Sequence, residues 1–330
     1  MKAFDRGGWD TTLASRLRAH QRDGNWVGQG YLFDEAVRIK HKLIEDYREN
    51  PPAVWFTYHC YYKAPDLIGP DVAAALNIPY VVAEGYRSRK RLDGPYARFA
   101  ALAEEALDQA AIIFHLTDRG LDALERDKPE GQRLIHLPPF TALGEDPERK
   151  SSDGPLKLLT VAMMRRGDKM KSYELLAAAL HDLEGDWVLD IIGDGAGRAE
   201  VEEMFASFGP RVNFCGLIDN REDMRAAYEA ADIFVWPGVN EAFGMVYLEC
   251  QAAGTPCVAQ DREGVREVVG PSSRLCNLEN SNSMADALNE MASDRKALRE
   301  AGMAAREYVR SRHGINAASA TITKALESLL

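Results

Sequence analysis

Short apolar runs alternate with amphipathic stretches of helical period along most of this 330-residue chain. Residues 53–58 (AVWFTY) and 111–116 (AIIFHL) are almost continuously apolar, which is typical of strands buried on both faces of a parallel sheet. Residues 97–109 instead repeat their apolar positions every three or four residues, as in a helix with one buried face. The alternation predicts an α/β fold in which crossover helices join parallel strands.

The same pattern stops and restarts once. Residues 144–155 (GEDPERKSSDGP) are rich in Pro, Gly and charged residues, a composition typical of a linker between domains. We therefore predict two doubly wound domains, residues 1–145 and 156–330, with the last helix a candidate to pack back on the N-terminal domain. Two such domains imply a cleft where the carboxyl ends of both sheets face each other.

The strands of both domains are predicted from their apolar runs. In the first domain they cover residues 53–58, 80–83, 111–116 and 134–137, and in the second residues 156–162, 188–192, 212–214, 233–236, 256–259 and 275–276.

Composition narrows the class of protein. Hydrophobic residues make up 46% and charged residues 28%, which is enough to build sizeable cores. Lys and Arg number 40 against 51 Asp and Glu, and the resulting net charge of -11 disfavours nucleic acid as a partner. No apolar run reaches the roughly 18 residues that span a bilayer, and the N-terminus is too polar for a signal peptide. We expect a cytoplasmic protein, with peripheral membrane contact as a further option.

The cysteines do not indicate a disulfide framework or a thiolate zinc site, because they are odd in number, scattered and never spaced as C-x-x-C. We interpret them as small core residues. They are Cys60, Cys215, Cys250, Cys257 and Cys276.

The segment richest in candidate chemistry is residues 231–253 (ADIFVWPGVNEAFGMVYLECQAA), in which a strand is followed by a turn and a helix. The start of such a helix offers free backbone N–H groups at the positive end of the helix dipole, which favours phosphate. Glu241 precedes the helix, and Glu249 follows about two helical turns later, so both carboxylates are expected on one side. Taken alone, two glutamates at this spacing are more often solvated surface charges.

A Gly-rich turn, residues 193–198 (GDGAGR), leads from another predicted strand into a helix. Such a turn is as often a tight strand-to-helix connection as a phosphate cradle. Gly193 is therefore a candidate ligand contact only in the context of the other motifs.

These segments follow one another in a fixed order. Residues 191–194 (IIGD), 212–217 (VNFCGL) and 228–236 (YEAADIFVW) precede the two glutamates, and residues 252–259 (AAGTPCVA) and 264–269 (GVREVV) follow. The ordered series resembles the donor-binding domain of the retaining GT-B glycosyltransferases of family 4, also called group 1. The resemblance implies a GT-B fold, a hexosyltransferase-type activity and a nucleotide-diphosphate sugar as the donor substrate.

The resemblance also implies residue roles around the donor. Glu241 would contact the hydroxyls of the sugar ring, and Glu249 would contact the ribose. The amides of Phe243, Gly244 and Met245 would meet the diphosphate and the sugar, which the physics of helix starts also favours.

Family members carry an Arg and, about five residues later, a Lys after the first strand of this domain. In residues 163–176 (MMRRGDKMKSYELL), Lys171 aligns with the Lys because SYELL continues the helix as expected. Met163 occupies the usual Arg position, and Arg166, or Arg165, supplies the charge after a small insertion. We expect Arg166 and Lys171 to neutralise the departing diphosphate. Surface charges on a loop are the alternative.

The N-terminal half departs from the family pattern, and two alignments are open. One makes Gly7 and Gly8 the family's Gly-rich loop, followed by a helix over residues 10–20. The other makes residues 9–14 the second strand, so that the first strand–helix unit is missing. That departure motivates an alternative function, a nucleotide-sugar binding protein with impaired catalysis. A nucleotide-sugar epimerase is a further, weaker alternative.

Three polar residues of the first domain are candidates for the acceptor or sugar side. His59 is expected just beyond a strand end. Many family members have a His after the next strand, where this chain has Gly85 with Glu84 before it. Arg87 opens the basic run RSRKR, which could hold an anionic acceptor or a lipid phosphate. A solvated loop is the alternative for that run.

Transfer with retention in this family is thought to use the leaving phosphate to take the acceptor proton. The resemblance therefore implies no protein nucleophile, no metal and no cofactor beyond the donor. The acceptor stays open between a glycan, a lipid-linked molecule and a small molecule.

Overall fold

The computed structural model describes residues 1–144, 154–280 and 282–330. The chain divides into two compact units, Met1–Pro138 with Ala318–Leu330 (unit 1) and Pro139–Ala317 (unit 2). Most of the predicted linker at residues 144–155 lies outside the described residues.

Unit 1 contains a parallel four-stranded sheet in the order β1-β2-β3-β4. Every residue of β2 is buried, which agrees with the apolar run at residues 80–83 and includes the carboxylate-bearing Glu84. In the register between the first two strands, Tyr58 is opposite Ala83 and Cys60 is opposite Gly85. The strands are Trp55–Cys60 (β1), Tyr80–Gly85 (β2), Ile112–His115 (β3) and Arg133–His136 (β4).

Helices connect and flank this sheet. In α4, Phe99, Ala103 and Leu107 are buried at helical spacing, so one face of the helix packs on the core. The helices are Lys2–Arg6 (α1), Trp26–Tyr47 (α2), Gly69–Leu76 (α3), Ala97–Gln109 (α4) and Leu121–Asp127 (α5).

Neither secondary-structure element predicted for the extreme N-terminus is present, while the absence of a first strand–helix unit stays a prediction. Residues 9–21 form neither a helix over 10–20 nor a strand over 9–14. Ala14, Leu17 and Ala19 instead pack, partly buried, on an apolar cluster that includes Phe99. These three apolar residues are therefore partly buried without regular backbone structure, while Leu13 is 58% exposed.

The long helix of this region is α2, which the sequence pattern did not predict. It begins after Asn25, whose Oδ1 accepts a hydrogen bond from the amide of Val27 at 2.9 Å. Gly28 and Gly30 lie in its first turns. Because glycine lowers helix propensity, these two residues weaken the helical signal at the start of α2.

Unit 2 contains a parallel six-stranded sheet in the order β10-β9-β8-β5-β6-β7. The strands that follow β5 along the chain add to one side of it, and β8 to β10 add to the other side. The loops after β5 and β8 therefore lead in opposite directions, which makes this point a topological switch point. The strands are Leu156–Val161 (β5), Trp187–Ile192 (β6), Val212–Gly216 (β7), Ile233–Val235 (β8), Cys257–Gln260 (β9) and Arg274–Cys276 (β10).

The helices of unit 2 enclose a core with Trp187, Trp236, Tyr173 and Tyr247 fully buried. They are Asp168–His181 (α6), Arg198–Phe205 (α7), Arg221–Ala230 (α8), Met245–Ala252 (α9), Glu263–Arg266 (α10), Ser283–Ser293 (α11) and Arg295–Arg312 (α12), and Ile315–Glu327 (α13) runs on into unit 1.

The prediction of an α/β chain with two parallel sheets is confirmed. None of the helices in the described ranges is long and apolar enough to cross a bilayer.

Candidate functional site

The loop after β8 is held by the first turns of α6. The side-chain amide of Asn240 donates to Asp168 Oδ2 at 2.9 Å, and the backbone amide of Val239 donates to Ser172 Oγ at 3.0 Å. Asn240 itself has a left-handed backbone, with φ of 54°. These contacts fix the loop in one conformation at the switch point and thereby fix the next residue, Glu241.

Glu241 is the centre of this site. Its carboxylate forms an ion pair with Lys169 and accepts a hydrogen bond from Trp236 Nε1 at 3.3 Å. Lys169 Nζ also lies 5.4 Å from the centre of the Trp236 ring. The side chains of Glu241 and Lys169 are only 17% and 15% exposed. The carboxylate is therefore oriented, charge-compensated and only slightly exposed to solvent.

Glu249 is held in a different way. It lies on α9, is exposed, and accepts a hydrogen bond from the Tyr228 hydroxyl at 3.0 Å. Burial of Tyr228, together with the charge of Glu249, raises the pKa of that hydroxyl above its usual value, so Tyr228 stays a donor. Glu241 precedes the first residue of α9 by four positions, so the two carboxylates are not two turns apart on one helix as predicted.

The start of α9 presents free donors. Gly244 is its N-cap, with φ of 75°. Within the described ranges, the amides of Phe243, Gly244 and Met245 donate to no protein acceptor. Beneath them, the buried hydroxyl of Tyr247 donates to the carbonyl of Trp236 at 3.0 Å. Free amides at the positive end of a helix suit an anionic ligand such as a diphosphate.

The Gly-rich turn after β6 packs against the loop that follows β5. The amide of Gly193 donates to the carbonyl of Gly216 at 2.8 Å. A Cβ atom at Gly193 would lie 1.9 Å from the carbonyl oxygen of Ala162, so this close approach requires glycine. The geometry accounts for Gly193 as a tight turn, and its contact with a ligand stays a prediction.

The predicted cations do not converge on Glu241. Arg165 is exposed, and Arg166, with a 78% exposed side chain, pairs with Glu200 at 2.8 Å. Lys171 is exposed and lies two residues beyond Lys169, or about 200° around the helix.

Lys169 is the cation at the carboxylate, and it was not among the cations predicted from the sequence. The signal that would have found it is the pair Gly167 and Asp168, since an acidic residue is common in the first turn of a helix. Placing the helix start there puts Lys169, rather than Lys171, in the first turn.

In unit 1, the structure brings His59 and Glu84 together. His59 Nδ1 lies 3.3 Å from Glu84 Oε2, and their side chains are 37% and 10% exposed. Desolvation of the hydroxyl and the nearby carboxylate of Glu84 raise the pKa of Tyr58 above its usual value, although most of the Tyr58 side chain is exposed. His59 lies within β1 and not beyond its end.

Arg87 belongs to the interior of unit 1. Its side chain is 1% exposed, and its guanidinium bonds to Glu104 at 2.8 Å and to Asp108 at 2.7 Å. A phosphate cannot reach this buried guanidinium, which corrects the prediction that Arg87 holds an anionic acceptor.

Gly85 stands where the resemblance predicts a histidine in many relatives. A Cβ atom at this position would lie 2.5 Å from Leu107 Cδ2. The core of unit 1 therefore leaves no room there for a larger side chain in this packing.

Within the described ranges, no three His, Cys, Asp or Glu side chains converge as metal ligands. The absence of a metal requirement stays a prediction.

Comparison with known proteins connects unit 2 to a family. Residues 145–308 match the family model of the glycosyl transferases group 1. The chain is 29% identical over 214 residues to D-inositol 3-phosphate glycosyltransferase of Corynebacterium diphtheriae, covering 60% of this chain and 48% of that protein. It is 26% identical over 229 residues to 2-deoxystreptamine glucosyltransferase of Streptomyces kanamyceticus, covering 62% and 58%. The chain thus spans about half the length of these curated relatives.

Solved structures share the fold. Sucrose-phosphate synthase from Thermosynechococcus elongatus superposes with a TM-score of 0.66 at 21% identity, covering 95% of this chain and 82% of that chain. Anabaena HepE in complex with UDP gives 0.67 at 17% identity, covering 88% and 82%. At these identities the likeness shows the fold alone, and it confirms the predicted GT-B class.

Proposed function

We propose that this chain, of which residues 145–308 match the group 1 glycosyl transferases, moves a sugar from a nucleotide diphosphate to an acceptor hydroxyl with retention of anomeric configuration. The match of residues 145–308 supports the predicted family as far as group 1 and supports the prediction of a glycosyltransferase. The donor, the stereochemistry and the residue roles are our proposal.

The observation that carries the proposal is the position of Glu241 beside the free amides of α9. An oriented carboxylate accepts hydrogen bonds from sugar hydroxyls, and free amides at a helix start bind phosphate oxygens. Glu241 and the first of these amides, at Phe243, are two residues apart in one loop. A sugar joined to a diphosphate can therefore use both groups at once.

Lys169 supplies positive charge at the point where it is needed. When the glycosidic bond breaks, negative charge accumulates on the diphosphate, and a nearby ammonium group stabilises that charge. The ion pair with Glu241 keeps Lys169 oriented while it is shielded from solvent. Arg166 is a second candidate, because its exposed pair with Glu200 is weak enough to be exchanged for a phosphate.

We assign binding of the ribose of the donor to Glu249. Its carboxylate is exposed and is held by the Tyr228 hydroxyl, so it can accept hydrogen bonds from the two ribose hydroxyls. HepE is a protein of the same fold that was solved with UDP, and UDP is therefore a suitable first probe.

In the proposed reaction, the acceptor oxygen bonds to the anomeric carbon on the face that the diphosphate leaves. The bond from that carbon to the diphosphate oxygen breaks, and the acceptor proton passes to the departing phosphate. The protein provides positioning and charge stabilisation, and no side chain becomes covalently attached.

The test first identifies the donor by thermal shift with UDP-glucose, GDP-mannose and ADP-glucose, because a ligand that binds the folded state raises its stability. Release of the nucleoside diphosphate from that donor is then measured for Lys169→Met and Lys171→Met. We expect Lys169→Met to lower turnover about 100-fold, as for loss of one charge-stabilising group.

Lys171→Met is the matched control, since it removes the same charge two residues away. We expect it to keep turnover within about threefold of the wild type. A large loss in Lys171→Met with none in Lys169→Met would reverse the assignment. Tight UDP binding without turnover of any nucleotide sugar would favour the alternative of a binding protein.

A further inference from the structure

We propose that Tyr58, His59 and Glu84 form a binding site in unit 1 for neighbouring hydroxyl groups of an uncharged sugar or polyol. The inference rests on the proposed function, since such a ligand would be the acceptor of the transfer. The contacts that support it lie entirely within unit 1.

The backbone at this site is unusual. His59 and Glu84 lie between the register pairs that join β1 to β2, and both have left-handed backbones, with φ of 69° and 61°. This conformation is unfavourable for residues with a Cβ atom, and it is found most often at functional sites. Here it occurs at matching positions of two neighbouring strands, and the two side chains are in contact.

The side chains offer the groups that recognise hydroxyls. Glu84 is an acceptor with little solvent exposure, and it is in contact with His59 Nδ1 at 3.3 Å. The carboxylate also raises the pKa of the neighbouring Tyr58 hydroxyl. The side chain of His59 is partly open to solvent, and Tyr58 is 65% exposed. A carboxylate, an imidazole and a phenol side by side can each accept or donate to adjacent hydroxyls of one ring.

Aromatic rings complete the site. The ring of Tyr61 lies 4.7 Å from that of His59, and the ring of Tyr86 lies 6.5 Å from it. Such rings pack against the apolar C–H face of a sugar or a cyclic polyol. A site with polar groups on one side and aromatic rings on another suits a sugar or cyclic polyol, which has hydroxyl groups and an apolar C–H face.

The charges at the site favour a neutral ligand. Glu84 places a carboxylate where the ligand would bind, and a phosphate there would be repelled. Two cations of the nearby basic run are engaged elsewhere, because Arg87 is buried against acidic residues and Arg89 pairs with Asp127 at 3.1 Å. Arg91 of the same run lies 5.1 Å from the centre of the Tyr62 ring. A phosphorylated acceptor is therefore the outcome that this site disfavours.

The test uses the full chain and saturation-transfer NMR with three uncharged probes, myo-inositol, methyl α-D-glucoside and maltose, and one charged probe, D-inositol 3-phosphate. All are measured with UDP present. We expect at least one uncharged probe to bind the wild type, and D-inositol 3-phosphate to bind more weakly. Glu84→Gln and His59→Gln should each weaken that binding by about tenfold or more.

Tyr58→Phe keeps the test valid if the other variants fail to fold, because it removes only one hydroxyl from an exposed ring. Its matched control is Tyr31→Phe, which removes the hydroxyl of a 73% exposed tyrosine on α2. We expect Tyr58→Phe to weaken binding of the uncharged probe and Tyr31→Phe to leave that binding unchanged.

Three results would overturn the inference: no binding of any uncharged probe to the wild type, tighter binding of the phosphorylated probe, or unchanged binding in all three site variants. UDP binding is recorded separately in each sample. Failure of the wild type to bind UDP or another nucleotide would count against the donor site in unit 2, and not against this site.

Discussion

The two units each hold a carboxylate with little solvent exposure, but they hold it by different means. In unit 2, Glu241 is fixed by its partners Lys169 and Trp236, and the left-handed backbone falls on its neighbour Asn240. Asparagine tolerates that conformation better than most residues. In unit 1, the left-handed backbone falls on Glu84 itself and on the histidine that it contacts. Unit 2 thus orients its acid through two side-chain contacts, whereas unit 1 combines a side-chain contact with a left-handed backbone at the acid itself.

The arginines show the same contrast. Arg87 of unit 1 is enclosed by two acidic side chains, whereas Arg166 of unit 2 is mostly in solvent. Both are basic residues in a loop after a strand, and the sequence assigns both to phosphate. Burial alone separates a structural arginine from an accessible one.

We expect the largest loss of stability at a glycine that follows β6, and we compare it with the glycine that ends β2. Gly193→Ala places a Cβ atom against a backbone carbonyl at a φ of 144°, and we expect it to lower the free energy of unfolding by about 4 kcal/mol. In Gly85→Ala the Cβ atom meets only the end of the Leu107 side chain, which can move, so we expect a loss of about 1.5 kcal/mol. Urea denaturation of both variants measures the difference.

Gly185→Ala is a control for the backbone alone, because its φ is 80° and no atom lies within 4 Å of the added Cβ. If Gly193→Ala cost no more than Gly185→Ala, the close approach of the two loops would not be a constraint in unit 2.

The next largest effect on stability is expected for the buried Arg87, in comparison with the exposed Arg166. Arg87→Ala leaves Glu104, whose side chain is 13% exposed, without its cation, and we expect a loss of about 3 kcal/mol in the free energy of unfolding. Arg166→Ala should change stability by less than about 0.5 kcal/mol, since its pair is exposed, while weakening UDP binding. Thermal unfolding and titration with UDP measure both properties. Equal stability of the two variants would contradict the distinction drawn between them.

The smallest expected effect concerns Tyr228. Tyr228→Phe removes the hydroxyl that holds Glu249, and we expect a loss of about 1 kcal/mol in stability and several-fold weaker UDP binding. Tyr173→Phe is the matched variant, because its buried hydroxyl donates to the carbonyl of Ala162 at 2.9 Å. It should lose comparable stability and keep UDP affinity. Calorimetric titration that gave equal affinity for both variants would remove Glu249 from the nucleoside site.

The sequence was most informative where apolar pattern and local geometry agree. The helix α4 was predicted over the residues that form it, because its apolar positions recur at helical spacing. The ten strands of the described ranges were predicted within a few residues of their bounds, because short apolar runs are typical of strands that are buried on both faces of a parallel sheet.

The sequence pattern was least informative at the N-terminus. Leu13 and Leu17 have the spacing of a helix, yet the segment that contains them has no regular structure, and Leu17 packs on a neighbouring cluster. Tertiary packing can bury an apolar residue in any backbone conformation, so the pattern alone could not separate these cases. The glycines of α2 had the opposite effect and obscured a real helix.

By itself, then, the sequence determined the α/β class, the order of the strands along the chain and the loop that carries Glu241, because these depend on periodicity and on residues close together in the chain. Only the tertiary structure decided which lysine meets that glutamate, that Arg87 is buried, and that His59 contacts Glu84. Each of these depends on which direction a side chain faces once helices and strands have packed, and one residue of a helix changes that direction by about 100°.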